Sequence, residues 1–150
     1  MTDLMSGREN LEDVHFIAAV GGFSNSDVLG SAKGWAGVFK YNIKAKEALN
    51  NFMARPDTMA LGVCNGCQLF MELELLYPEH KQHPKMLDNA SGKFECAFLS
   101  VDIQPSPSIM LKSLSQTTLG IWAAHGEGQF NWKSDNADVQ IAAKYHYENY

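Results

Sequence analysis

Cys64 stands in the run Leu61-Gly62-Val63-Cys64-Asn65-Gly66-Cys67-Gln68, with a glycine two positions away on each side. A thiolate is a strong nucleophile towards carbonyl carbon, provided it is held out of the packed interior. Most cysteines are small buried apolar residues, so the surroundings have to argue otherwise. Here they do, because flanking glycines give room for a sharp turn and for close approach of a substrate. Main-chain N–H groups at the start of a following helix favour the thiolate and can hold a developing oxyanion, so a single turn supplies nucleophile and stabiliser together. The pattern has the form of a nucleophile elbow with cysteine in place of serine.

Two rival chemistries use the same cysteines. Cys64-x2-Cys67 followed by His80 and His83 approaches the spacing of a zinc finger. Only two residues separate the histidines, however, Pro84 follows at once, and Cys64 would have to leave a strand end. Cys-x-x-Cys also opens a helix in thioredoxin-like redox proteins, but without the Gly-x-Cys-x-Gly frame. No metal site is therefore expected. His125, ahead of Gly126-Glu127-Gly128, stands at the end of another predicted strand, on the sheet edge where the elbow opens. A lone histidine is usually structural or solvated, so His125 is a candidate for lining the site and not its general base.

These residues need particular elements to position them. Thr58 to Val63 is an apolar run too short for a helix, and Leu69, Phe70, Leu73 and Leu76 then recur at helical spacing, so Cys64 falls between a strand and a helix. Val14 to Val20 reads as a buried strand ending at Gly21-Gly22, a loop whose N–H groups could face an oxyanion beside the elbow. Ser24 to Gly34 is a loop by composition, and Trp35 to Met53 a single amphipathic helix stopped by Arg55-Pro56-Asp57. Strand, helix, strand, helix makes a βαβ crossover and a parallel, doubly wound α/β sheet. Met1 to Asp13 reads as a loop or helical turn, and Tyr77 to Gly92 as an exposed loop. Further on, Phe94 to Gln104 reads as strand with a break, Ser108 to Leu114 as a short helix or turn, and Leu119 to Ala124 as a buried strand. Gln129 to Trp132 and Val139 to Tyr145 look like shorter strands.

The chain has 150 residues, enough for one domain with its own core. Its net charge of −5 and lack of a basic block argue against sequence-independent nucleic-acid binding. No apolar stretch approaches bilayer length and no signal peptide is apparent, so no membrane partner and a cytoplasmic location are expected. Three cysteines, an odd number, do not suit a disulfide framework.

Gly62-Val63-Cys64-Asn65-Gly66-Cys67-Gln68 resembles the nucleophile motif of class I glutamine amidotransferases, and its Cys-Asn-Gly-Cys-Gln variant is similar to the glutaminase domain of phosphoribosylformylglycinamidine synthases. Gly21-Gly22-Phe23-Ser24, Asp27-Val28-Leu29-Gly30 with Gly34-Trp35-Ala36, Arg55-Pro56 and His125-Gly126-Glu127-Gly128 follow in that family's order. The resemblance implies a flavodoxin-like, mainly parallel sheet. It implies attack of Cys64 on the side-chain amide of glutamine, with backbone N–H groups of Asn65 and Gly22 on the oxyanion. Gln68, Gly21, Phe23, His125 and Gly126 would bind the substrate. It further implies a ligase that supplies ammonia for ATP-dependent amidation of formylglycinamide ribonucleotide in purine synthesis. The partner is then a synthetase domain holding ATP and magnesium, with no cofactor in this domain.

Two departures matter. Asn25-Ser26 stands where the family often has Tyr-Gly, and no Pro-His-x-Glu-Arg stretch is present to supply the histidine base and its carboxylate. The domain is therefore expected to be partial, lacking the family's first strand and helix and its His-x-Glu segment, and inactive alone. Another class I amidotransferase, a cysteine hydrolase on the same scaffold, or a non-catalytic interaction fragment are the alternatives.

Overall fold

The computed structural model describes residues 1–132 and 139–147. The chain is α/β and divides into two compact units, Met1–Leu87 with Gly128–Lys133, and Asp88–Glu127 with Ser134–Tyr150.

In the first unit, α1 (Thr2–Ser6) precedes β1 (Phe16–Ala19), and α2 (Lys33–Tyr41) and α3 (Ile43–Ala54) lead into β2 (Met59–Gly62). β1 and β2 pair in parallel, Phe16 opposite Met59 and Ala19 opposite Gly62, as the βαβ order requires. α4 (Asn65–Glu72) follows β2 after a two-residue turn. The core forms where Ala36 and Phe39 of α2, Ala45 and Leu49 of α3, and Leu69 and Phe70 of α4 close over Ala19. Ala36 and Phe39 are three residues apart and Ala45 and Leu49 four, the spacing that puts side chains on one helix face, while Leu69 and Phe70 are neighbours on α4. β3 (Lys85–Leu87) and β6 (Gln129–Asn131) form an antiparallel pair in the same unit.

The expected single helix over Trp35 to Met53 is two. Asn42 breaks it with extended backbone (φ −95°, ψ 118°), and its side chain accepts a hydrogen bond from the Ala45 N–H at 3.0 Å, capping α3. β1 also differs from a strand buried on both faces. Ile17 and Ala19 turn inward, while Phe16, Ala18 and Val20 are exposed. The exposed loop expected over Tyr77 to Gly92 contains β3, with Pro84 and Met86 buried.

The second unit is a three-stranded sheet in the order β5-β4-β7, built from β4 (Glu95–Ile103), β5 (Thr118–His125) and β7 (Ala143–Tyr145), all antiparallel. β4 runs without the expected break. Leu119 to Ala124 is not buried on both faces, since Trp122 is 66% exposed while its neighbour Ala123 is 7% exposed. One-sided burial with alternating side chains is the pattern of antiparallel pairing, which explains why these strands do not extend the parallel arrangement. Ser108 to Leu114 ends in a short 3-10 turn at Lys112–Leu114.

Candidate active site

Cys64 sits where β2 stops and α4 starts, as the residue before the first helical position, with φ 53° and ψ −112°. A non-glycine residue at such an angle is strained, and strain of this kind persists only where the surroundings impose it. Here the glycines impose it. A Cβ at Gly62 would lie 2.8 Å from the Gly66 carbonyl oxygen and 2.9 Å from Cys67 Cα, and one at Gly66 would overlap the Ala19 carbonyl. The helix can therefore turn this tightly out of β2 and lie this close to the end of β1 only with glycine at both places. Gly66 N–H donates to Val63 O at 2.9 Å and Gln68 N–H to Cys64 O at 3.1 Å, closing the turn. The consequence is an exposed thiol.

The loop after β1 meets this thiol. A Cβ at Gly21 would lie 3.1 Å from Cys64 Cβ and 3.7 Å from its Sγ, so the glycine loop runs against the nucleophile. Gly22 follows with φ 112°, an angle suited to glycine, and Phe23 is exposed at the mouth of the loop. Asn65 is the first residue of α4, where the helix leaves N–H groups without intrahelical partners.

The Asn65 side chain is 2% exposed. Its Nδ2 donates to Asp27 Oδ2 at 3.1 Å and to Gln68 Oε1 at 2.9 Å, and its Oδ1 accepts from the Ser24 N–H at 3.4 Å. Asp27 Oδ1 accepts from the Ala32 N–H at 3.0 Å. Gln68 is buried within this network. Asp27 opens the Asp27-Val28-Leu29-Gly30 motif, but neither its type nor its spacing gives it a chemical role. A short acidic side chain in a loop rich in Gly, Ser and Asn is a signal for local turn bonding, but it carries no trace of a partner 38 residues away.

Cys67 lies inside α4, and burial pushes its thiol above the ordinary value, with the neighbouring Cys64 charge adding to the shift. The four candidate zinc ligands are not brought together. Cys64 and Cys67 mark the start of α4, while His83 Nε2 lies 3.7 Å from Glu74 Oε2, beyond the helix's other end. Among the described residues no group of three or more His, Cys, Asp and Glu is placed to hold a metal ion. His15 is tied to Asp57 at 3.1 Å, at the start of the parallel strands, whereas Cys64 follows their ends. His125 and Gly126 belong to the second unit. There His125 Nδ1 lies 2.8 Å from Asn89 Oδ1, Asn89 Nδ2 donates to the His125 carbonyl at 2.7 Å, and the Asn89 N–H donates to Gly126 O.

Residues 1–149 match the CobB/CobQ-like glutamine amidotransferase domain. The chain belongs to that family. The match to the amidotransferase domain spans both units and every candidate residue named above. Its relatives include the probable phosphoribosylformylglycinamidine synthase, chloroplastic/mitochondrial, of Arabidopsis thaliana, 46% identical over 135 residues that cover 86% of this chain and 10% of that protein. The phosphoribosylformylglycinamidine synthase of Dictyostelium discoideum is 43% identical over 144 residues, covering 93% of this chain and 10% of that protein. The chain thus spans about a tenth of the length of the curated relatives it matches. Among solved structures, PurLQS from Thermotoga maritima is similar with a TM-score of 0.66 and 26% identity, covering 93% of this chain and 59% of that one.

Proposed function

We propose that this amidotransferase domain is the glutaminase portion of a phosphoribosylformylglycinamidine synthase, with Cys64 as nucleophile. The observation that carries this reading is the strained, exposed Cys64 with the Gly21 loop against its sulfur. Cys64 Sγ attacks the side-chain amide carbon of glutamine, and the oxygen becomes an oxyanion within reach of N–H groups from Asn65 and Gly22. The carbon–nitrogen bond then breaks, the nitrogen leaves with an added proton as ammonia, and water hydrolyses the glutamyl thioester to glutamate and free thiol. Gly21 and Phe23 border the glutamine, and Gln68 bounds the pocket from inside through Asn65.

The ammonia serves ATP-dependent amidation of formylglycinamide ribonucleotide in a synthetase domain, which holds ATP and magnesium. This chain has no Walker-type glycine loop for nucleotide phosphates. A flavodoxin-like sheet around β1 and β2 and a cytoplasmic location complete the proposal. The test is made in a full-length synthase that carries these residues together with the histidine base, with ATP, magnesium and the ribonucleotide. Cys64→Ala should abolish amidation from glutamine and leave amidation from ammonium salts intact. Glutamine-driven amidation that survives Cys64→Ala overturns the reading.

A further inference from the structure

Four non-glycine residues of the first unit with positive φ gather around one place: Asp27 (43°), Ser31 (46°), Ala32 (56°) and Cys64 (53°). Three of them belong to the loop after β1, and Ser31 and Ala32 are 5% and 0% exposed. Strained backbone buried this deeply must be held by specific bonds, and the bonds converge on one carboxylate. Asp27 Oδ1 takes the Ala32 N–H, closing the loop on itself, and Oδ2 takes Asn65 Nδ2, fastening the loop to the residue beside the nucleophile. The Ser24 N–H donates to the same Asn65 side chain, so both ends of the segment from Ser24 to Ala32 are anchored.

We infer that Asp27 is a positioning residue: through the Asn65 side chain it locks the Gly21-Gly22 loop to the start of α4, fixing the two oxyanion donors relative to each other. The two donors come from different elements, Gly22 from the loop after β1 and Asn65 from the helix after β2. β1 and β2 set their separation only coarsely, and charge-assisted hydrogen bonds from a buried amide set it closely. Asp27 touches no reacting atom in this scheme. It holds the frame in which the reacting atoms are stabilised. The inference rests on the glutaminase reading of Cys64, and its test separates the two.

The isosteric variant Asp27→Asn can accept from Ala32 or from Asn65 but not from both. In the full chain it should raise amide hydrogen exchange at Ala32 and Ser24, and slow modification of Cys64 by 6-diazo-5-oxo-norleucine by about tenfold. Modification of Cys64 by iodoacetamide, which needs no oxyanion hole, should stay within about twofold. The exchanged pair Asp27→Asn with Asn65→Asp lets the new amide donate to the new carboxylate, and should restore protection of both amides. Unchanged exchange at Ala32 in Asp27→Asn overturns the inference, as does an equal slowing with both reagents. In the unsubstituted protein, the Cys64 adduct should raise protection at Ser24 and Ala32 together. An adduct that leaves both unchanged overturns the inference however the variants fold, whereas failure to form the adduct at all counts against the glutaminase reading.

Discussion

Cys64 and Cys67 stand one helical turn apart and meet opposite surroundings. The first is exposed before the helix, and the second is half-buried within it, with its thiol pushed up by desolvation and by the charge of the first. A raised thiol value keeps Cys67 protonated to higher pH, and only the thiolate reacts. Limited iodoacetamide treatment at pH 8, read by peptide mass spectrometry, should therefore modify Cys64 well before Cys67. Preferential modification of Cys67 contradicts the placement. The glycine frame makes a second prediction. Gly66→Ala should destabilise by about 3 kcal/mol, because its Cβ has nowhere to go beside the Ala19 carbonyl. Gly92→Ala meets nothing within 4 Å and bears only the strain of its φ of 66°, so it should cost about 1 kcal/mol. Denaturant titration of both checks the order. The cysteine and its glycines were legible in the sequence because a tight turn restricts residue types locally. The Asn65–Asp27 bond was not, since hydrogen bonds between distant loops impose no spacing.

At the scale of elements, strands and helices near the elbow were legible from apolar runs and periodicity, and the errors have physical causes. Asn42 lies in a stretch whose apolar residues keep an approximate helical period across it, so periodicity alone hides the break. The side-chain cap that makes the break shows only in three dimensions. Asn42→Ala should cost about 1 kcal/mol by removing that cap, measured as a shift in denaturant midpoint. No shift would show that α3 does not depend on it. Arg55 is a stronger case. Its Nη1 donates to Leu11 O at 3.0 Å and also to Glu12 O, its Nη2 to Val14 O at 2.7 Å, and its Nε to Asp57 Oδ1 at 3.1 Å. One guanidinium thus fastens the segment leading into β1 to the turn leading into β2. Arg55→Ala should cost about 2 kcal/mol, and Arg55→Lys should recover little of it, because an ammonium cannot reproduce the planar fork.

On the scale of the whole molecule, a parallel βαβ unit carries the nucleophile, and a separate antiparallel sheet carries His125. Antiparallel pairing was hidden in the sequence because Leu119 to Ala124 is an unbroken apolar run, the pattern of a strand buried on both faces, and the exposure of Trp122 shows only in the fold. The second unit has its own pH dependence. The Asp102 carboxyl is held below its usual 3.8 by the Thr118 hydroxyl, which donates to it at 2.6 Å, and then by His146. A lowered carboxyl contributes stability above its unfolded value, and that contribution is lost as pH falls through the native one. Asp102→Asn should therefore be less stable than the parent at pH 7, and the gap should close as pH drops below 3.8. A gap that stays constant into strong acid contradicts this. These 150 residues contain no Pro-His-x-Glu-Arg stretch, so the chain by itself should release glutamate no faster than its Cys64→Ala variant.

The decisive measurement is covalent capture of Cys64 by 6-diazo-5-oxo-norleucine, followed by mass spectrometry, with and without excess glutamine. One adduct on Cys64, suppressed by glutamine, is the expected result. A thiol that iodoacetamide reaches but the glutamine analogue does not, or an adduct that glutamine fails to suppress, would contradict a glutamine-binding nucleophile at this turn.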